Sequence, residues 1–205
     1  LGLGTPDADP KSIDRSTIED AVSCDVIGGR WIASKTMEGC RVLGLMEGIW
    51  RFYDTTDDDV RFLQAIVQTK AGKLHGFQKE FFPSGNLRKV GQNVGGLSDG
   101  LWRAYHPGGQ LAHEINWKAG KRNGPAHEWY PNCERKTAGQ WAQGVRTGAW
   151  SHWYANGRKR SSGAYENGER SGLWEEFHEK GPKLTQAHYV ADEAHGPWTD
   201  YLVTG

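Results

Sequence analysis

From about residue 48 onward the chain is built of short runs in which a large ring alternates with a polar residue, broken at intervals by glycine. The stretch TGAWSHWYANGRKRSSGAYENGERSG (147–172) is typical. The runs recur with a fixed step, and such a period is the first thing that constrains a fold. Starting from Gly148 and moving by 24 residues reaches Gly76, Gly100, Gly124, Gly148, Gly172 and Gly196. Five positions after each of these anchors stands an aromatic residue: Phe81, Tyr105, Trp129, Trp153, Phe177 and Tyr201. Two positions after the anchor stand Trp102, Trp150, Trp174 and Trp198, with Gln78 and Ala126 as exceptions. Nine after it come Gly85, Gly109, Gly157 and Gly181, with Cys133 as the misfit. Seventeen after it come Trp117, Trp141, Tyr165 and Tyr189, and twenty after it Gly96, Gly120, Gly144 and Gly168.

The pattern reaches back to Gly48, Trp50 and Tyr53, where four extra residues around TTDDDV lengthen a loop before Gly72 rejoins the register. GGRWIASK and GCRVLGLMEG have the look of two halves of a still earlier unit. Residues 1–20 show no such order, and a polar leader with a short helical turn at STIEDA is expected there. The repeat array is expected over 21–205, with regular units from about residue 48.

Each unit holds two alternating stretches separated by turn signals, so each is expected to be a β-hairpin. YANGRK supplies Asn-Gly, which suits a type I′ turn because both of its central residues need positive φ. PSGN, PGGQ and EKGP occupy the same place in other units, while ENGERSG and KAGKRNG mark the second reversal. Fifteen positions after the anchor stand Gly91, Ile115, Gly139, Gly163 and Ala187, on the same strand face as the ring two further on. A missing side chain at that position makes room for a ring from the next hairpin. Contacts between rings contribute on the order of 0.5–1.5 kcal/mol beyond area burial. The expectation is an all-β fold, an elongated, twisted, single-layer antiparallel meander of tandem 24-residue hairpins, stabilised unit by unit. Its end strands are open, which allows a monomer or an edge-paired dimer.

Composition supports a thin structure. Ten tryptophans and seven tyrosines stand beside 28 glycines, so rings carry most of the apolar area that must leave water. The 25 basic and 25 acidic residues cancel, which removes the bulk electrostatic case for a nucleic-acid partner and leaves only local patches. No window approaches the roughly 18–20 apolar residues of a membrane-spanning helix. The chain begins at Leu1, so a trimmed leader would make it an exported protein, and otherwise a cytoplasmic one is expected. Cys24, Cys40 and Cys133 lack metal-ligand spacing and neither demand a disulfide nor exclude one.

The Gly-x-Trp-x-x-Tyr-x-x-x-Gly opening and the Gly-x-x-x-Gly link resemble the MORN-type repeat, in particular the bacterial variant found in YwqK-type antitoxins, over about residues 40–205. The resemblance implies a β-hairpin array used for protein contact, in some settings as the immunity partner of a toxin and in others for lipid association. The expansion at TTDDDV and the cysteine at 133 depart from the pattern, so unusual hairpin tips are expected at both.

A residue that recurs in its column is most simply a requirement of the hairpin, which makes the anchor glycines structural; candidates for function break the columns. Arg135, Lys136, Arg158, Lys159 and Arg160 fall ten to twelve residues after their anchors in adjacent units, with Arg88, Lys89 and Lys183 in the same columns. They are expected to gather on one margin of the sheet, able to meet the carboxylates of another protein or anionic lipid, or simply to protect an edge by charge. Trp102, Trp150, Trp174 and Trp198 would form an aromatic platform if the chain instead held choline or cell-wall glycans. Asp54, Asp57, Asp58 and Asp59 offer oxygen donors without the spacing of a calcium loop, so a solvated tip is the reading there. The eight histidines pair with nothing at ligand spacing; His106 and His178 share the column of Phe82, Tyr130 and Tyr154. Ser151 and His152 are strand neighbours and point to opposite faces. With no nucleophile elbow or phosphate-binding loop, a non-enzymatic scaffold without metal or cofactor is expected.

Overall fold

The computed structural model describes residue 24 and residues 27–201, so the leader at 1–20 and the helical turn expected at STIEDA lie outside the described residues. Among the described residues, fifteen antiparallel strands form one sheet whose spatial order is the chain order. The first are β1 (Arg30–Ala33), β2 (Met37–Val42), β3 (Leu45–Thr55), β4 (Arg61–Lys70) and β5 (Lys73–Phe81). Next come β6 (Leu87–Val94), β7 (Leu97–Tyr105), β8 (Leu111–Lys118), β9 (Lys121–Trp129) and β10 (Arg135–Ala142). The last are β11 (Val145–Trp153), β12 (Lys159–Glu166), β13 (Glu169–Phe177), β14 (Lys183–Val190) and β15 (Glu193–Asp200). This is the single-layer hairpin meander that the 24-residue period predicts.

The two reversals of each unit differ, and they exchange the turn chemistry expected of them. At the narrow edge two residues close each hairpin, and both have positive φ: Asn167 at 52° and Gly168 at 94°, Gln143 at 50° and Gly144 at 94°, even Leu43 at 48° before Gly44 at 80°. These are the type I′ turns. At the wide edge, where Asn156-Gly157 led to the same expectation, only Gly157 is left-handed, at 80°. There the Gly157 N–H donates to Tyr154 O at 3.0 Å and the Tyr154 N–H to Arg158 O at 2.8 Å, a turn followed by one left-handed residue. Asn156 is needed for its side chain, which accepts from the Arg158 N–H at 3.0 Å and donates to Glu179 O of the next hairpin at 3.1 Å.

The anchor glycines have φ between 64° and 110° and sit where the register slips. Between β10 and β11, Ala138 pairs Ser151 and Gln140 pairs Thr147, so Gly139 faces the three residues Gly148, Ala149 and Trp150. This bulge lays Trp150 flat over Gly139, where a Cβ would overlap the indole. The indole N–H then donates to Gln140 O at 3.2 Å. The same arrangement places Trp50 over Gly39, Trp102 over Gly91 and Trp174 over Gly163. Where position fifteen is not glycine the ring-over-glycine packing is replaced: Val67 pairs Gln78, Ile115 pairs Ala126 and Ala187 pairs Trp198 directly.

These rungs are the core. Trp50, Trp102, Trp150 and Trp174 are 0–6% exposed, which a single layer achieves only because each ring is seated on a bare glycine and hemmed in by the rows beside it. Trp198, over Ala187 on the last described strand, is 52% exposed. At the narrow edge each turn is tied to the previous one by a backbone bond such as Gly144 N–H to Arg122 O at 2.9 Å. At the N-terminal end of the sheet a Cys24–Cys40 disulfide, Cα–Cα 5.5 Å, pins residue 24 onto β2. On loop entropy a bridge closing about this span contributes roughly 3 kcal/mol.

The two irregular tips resolve differently. TTDDDV lengthens β3 and β4 by the pairs Asp54 to Phe62 and Thr55 to Arg61, and the Arg61 guanidinium lies 3.7 Å from the Tyr53 ring centroid. Cys133 produces no unusual tip: it takes φ 69°, and the bonds Cys133 N–H to Tyr130 O and Tyr130 N–H to Glu134 O, both 2.9 Å, repeat those of Gly157.

Candidate functional site

The wide edge of the sheet carries the cationic margin. On the face opposite Trp150, the aromatic column five after each anchor pairs directly with the column eleven after it. In the N-terminal half those partners are leucines: Tyr53 with Leu63, Phe81 with Leu87, Tyr105 with Leu111. In the C-terminal half they are cations: Trp129 with Arg135, Trp153 with Lys159, Phe177 with Lys183. Rings and charges therefore alternate from Trp129 to Tyr201. Arg135 also lies 5.6 Å from the Trp153 centroid, and Lys183 lies 6.0 Å from Phe177 and 5.6 Å from Tyr201. A cation held over a ring face stays charged and keeps its donors for a partner.

The five basic residues singled out by spacing do gather here, in unequal states. Arg135, Lys159 and Arg160 are exposed and have no carboxylate within ion-pair distance among the described residues. Lys136 reaches Glu128 at 3.6 Å. Arg158 is engaged by the main chain of the next tip, donating to the carbonyls of Lys180 and Glu179. Further along, Lys183 is paired with Glu175 at 2.6 Å, which holds its ammonium above the usual lysine range. Arg88 is paired with Glu80 at 2.7 Å, and Lys89 stands over Trp102 on the other face. The margin's open charge is thus concentrated at Arg135, Lys159 and Arg160.

Trp102, Trp150 and Trp174 lie on one side of the sheet, as their spacing requires, and are buried, so they do not form the platform expected of them. A ring seated on glycine to within 3–6% exposure offers no face to choline or a sugar. His106 and the tyrosines of its column have a joining role: His106 Nε2 lies 3.0 Å from Trp129 O, while Tyr130 and Tyr154 donate to Trp153 O and Phe177 O, both at 2.9 Å. Asp54 is taken up locally, accepting from Gln64 at 3.1 Å, and among the described residues no three His, Cys, Asp or Glu side chains group as metal ligands.

A second ladder of rings and cations went unrecognised in the sequence. On the Trp150 face, Arg122 pairs Trp117, Arg146 pairs Trp141 and Arg170 pairs Tyr165. Arg122 lies 4.7 Å from Trp141, Arg146 4.9 Å from Trp150, and Arg170 3.9 Å from Tyr189. The signal was available, since these arginines recur 24 residues apart. Nearby, Thr137 Oγ1 and His152 Nδ1 are 3.3 Å apart. Burial, then the Arg146 and Arg160 cations, hold His152 below the usual histidine range, which opposes the imidazolium that a general base must become.

The family model described as MORN repeat variant matches residues 98–119, which cover most of β7, the wide turn and β8. One hairpin of the array is therefore similar to that repeat, and its neighbours carry the same glycine and ring columns at the same spacing. A search of characterised proteins finds no match to the chain.

Proposed function

We propose that this chain is a non-enzymatic repeat scaffold that docks an acidic surface of another protein on the wide-edge margin of its C-terminal half. The observation that carries the reading is the exchange of Leu63, Leu87 and Leu111 for Arg135, Lys159 and Lys183 in one column. The hairpin itself accepts leucine there, and Arg135 and Lys159 have no carboxylate partner among the described residues, so those two cations answer to something outside it, while Lys183 is held by Glu175. Guanidinium and ammonium groups between half-buried rings suit carboxylates, and a stiff ladder loses little entropy on association. The narrower reading, a toxin as the partner, comes from the likeness to YwqK-type antitoxins.

Poly-L-glutamate serves as a probe of the margin. R135L/K159L/K183L, which writes the N-terminal pattern into the C-terminal half, is expected to keep its melting temperature and to lose at least about tenfold in affinity for the polymer, with a weaker salt dependence. Undiminished binding moves the site elsewhere.

Anionic lipid is a second reading, and a different edge favours it. From β2 to β11 the pairs flanking the narrow turns alternate: Val42 with Leu45, Lys70 with Lys73, Val94 with Leu97, Lys118 with Lys121, Ala142 with Val145; beyond them the row turns acidic, with Glu166 opposite Glu169. Like charges directly across strands are unfavourable, and Leu43 at this edge is 97% exposed. Basic pairs set between apolar ones suit a charged membrane surface. Flotation with phosphatidylserine vesicles, lost in K70E/K73E/K118E/K121E and absent with neutral vesicles, tests it.

A further inference from the structure

The tryptophan face has a rung without a ring. At Gln78, the other exception, the space is taken by hydrogen bonds: Asn93 donates to Gln78 at 2.9 Å and Gln78 to Glu80 at 2.8 Å. At Ala126 nothing substitutes for the indole, and the pairing of Ile115 with Ala126 covers only the floor. A depression of about 260 Å³ opens beside that pair, on the Ile115 side, lined in part by Lys89, Trp102, Ile115, Trp117, Arg122 and Glu128. A smaller one of about 110 Å³ adjoins it across Ile115, Arg122 and Glu128 and reaches Trp141 and Trp150.

The charges around this slot are unevenly committed. Glu128 lies 3.6 Å from both His113 Nδ1 and Lys136 Nζ. Lys89 and Arg122 have no carboxylate within ion-pair distance among the described residues; they rest on rings instead, Lys89 4.5 Å from the Trp102 centroid and Arg122 4.7 Å from that of Trp141. The smaller depression covers Ala126 and joins the larger over Ile115, Arg122 and Glu128, so a slot walled by indoles runs beside the rung that lacks its own, and it fits one flat ring. Two uncommitted cations at its rim favour a negative charge on that ring.

We propose that the Ala126 slot binds a planar aromatic group bearing a carboxylate. The ring lies beside the missing rung, against Trp117 and the exposed rim of Trp102, and the carboxylate meets Arg122 and Lys89. This site is on the face opposite the ring-and-cation row of the margin and does not depend on what that margin binds.

The test compares three probes with one ring system, indole-3-acetate, indole and tryptamine, followed through the indole N–H signals of the protein by NMR. The acid is expected to bind at least about tenfold more tightly than the amine, with shifts centred on Trp102, Trp117 and Trp141. In R122Q the acid should fall to the level of neutral indole. I115G/A126W builds the ring-over-glycine rung of the neighbouring units into this place and should lose binding; K89Q/R122Q, which leaves the Ile115–Ala126 pair alone, should lose the preference for the acid and so tests the proposal even where I115G/A126W folds poorly. Equal binding of acid and amine, a response that does not saturate, or shifts centred on the exposed Trp198 would each overturn the proposal.

Discussion

The unit that begins at Gly124 and the one that begins at Gly148 stand side by side in the sheet and share strand lengths, turn types and edge contacts. Among their differences, three bear on the rungs and tips: Ala126 against Trp150, Cys133 against Gly157, and, on the strand before, Ile115 against Gly139. The first and third differences belong together. A large residue on one strand is matched by a small one on the next in both units, but the sizes are exchanged. With the size goes the register: Ile115 and Ala126 stay directly paired, while Trp150 leaves the ladder to lie on Gly139. The backbone therefore reads the sum of two side chains, and one way of making that sum leaves a slot where the other leaves none.

The strongest way to break this comparison is to give one unit half of the other's solution. Gly139→Ile alone puts a branched side chain into the space of the Trp150 ring and should cost more than about 3 kcal/mol. Adding Trp150→Ala recreates the Ile115–Ala126 pairing, so the double variant should be more stable than Gly139→Ile alone, with a favourable coupling of about 2–3 kcal/mol in a urea double-mutant cycle. Additive losses would mean that the two positions do not share one space. Trp150→Ala by itself removes a 3%-exposed indole and should cost about 3–5 kcal/mol, against about 1 kcal/mol for Ile115→Val in the slotted unit.

Acid sharpens the comparison, because titratable groups of both units meet above the rungs. An unfolded histidine titrates near 6.5, whereas folded His152 is held lower by burial and then by Arg146 and Arg160. Below about 6.5 the unfolded chain binds more protons than the folded one, so stability is intact above that pH and declines as pH falls through it. Glu128, held below its ordinary 4.5 chiefly by the hydrogen bond from His113, adds a second loss as pH falls under 4.5. Chemical denaturation from pH 8 to 4 should show both steps, and His152→Gln should abolish the first while leaving the second.

The fold was legible because a period is a statement about neighbours: a glycine column and a ring column two residues apart on one face already imply a ring on a bare backbone. Two things were not legible. Alternation assigns Trp102, Trp150 and Trp174 to one face but says nothing of how deeply a bulge sinks them, so a core resembled a binding platform. Asn-Gly marked a type I′ turn at 156–157, yet the narrow edge needs two left-handed residues and accepts Leu43 or Gln143 in one of them, because the flanking pairs set the loop length. At the margin, spacing found the cations and missed their rings, which only pairing across strands brings into one row.

The smallest effect concerns the second of these differences, Cys133 against Gly157. Cys133 stands in the left-handed region at φ 69°, the conformation that Gly157 holds at φ 80° in the next tip, and both make the same two turn bonds. For an L-residue this conformation costs about 1–2 kcal/mol, and glycine escapes it at the price of a more flexible unfolded chain. Cys133→Gly should therefore stabilise the protein by up to about 1 kcal/mol, and Gly157→Ala should destabilise it by a similar amount. The thiol is exposed and outside the Cys24–Cys40 bridge, so removing it breaks no contact that would obscure the backbone term. If Cys133→Gly lowers the urea midpoint instead, the two tips are not equivalent, and the cysteine makes a contribution that its turn geometry does not account for.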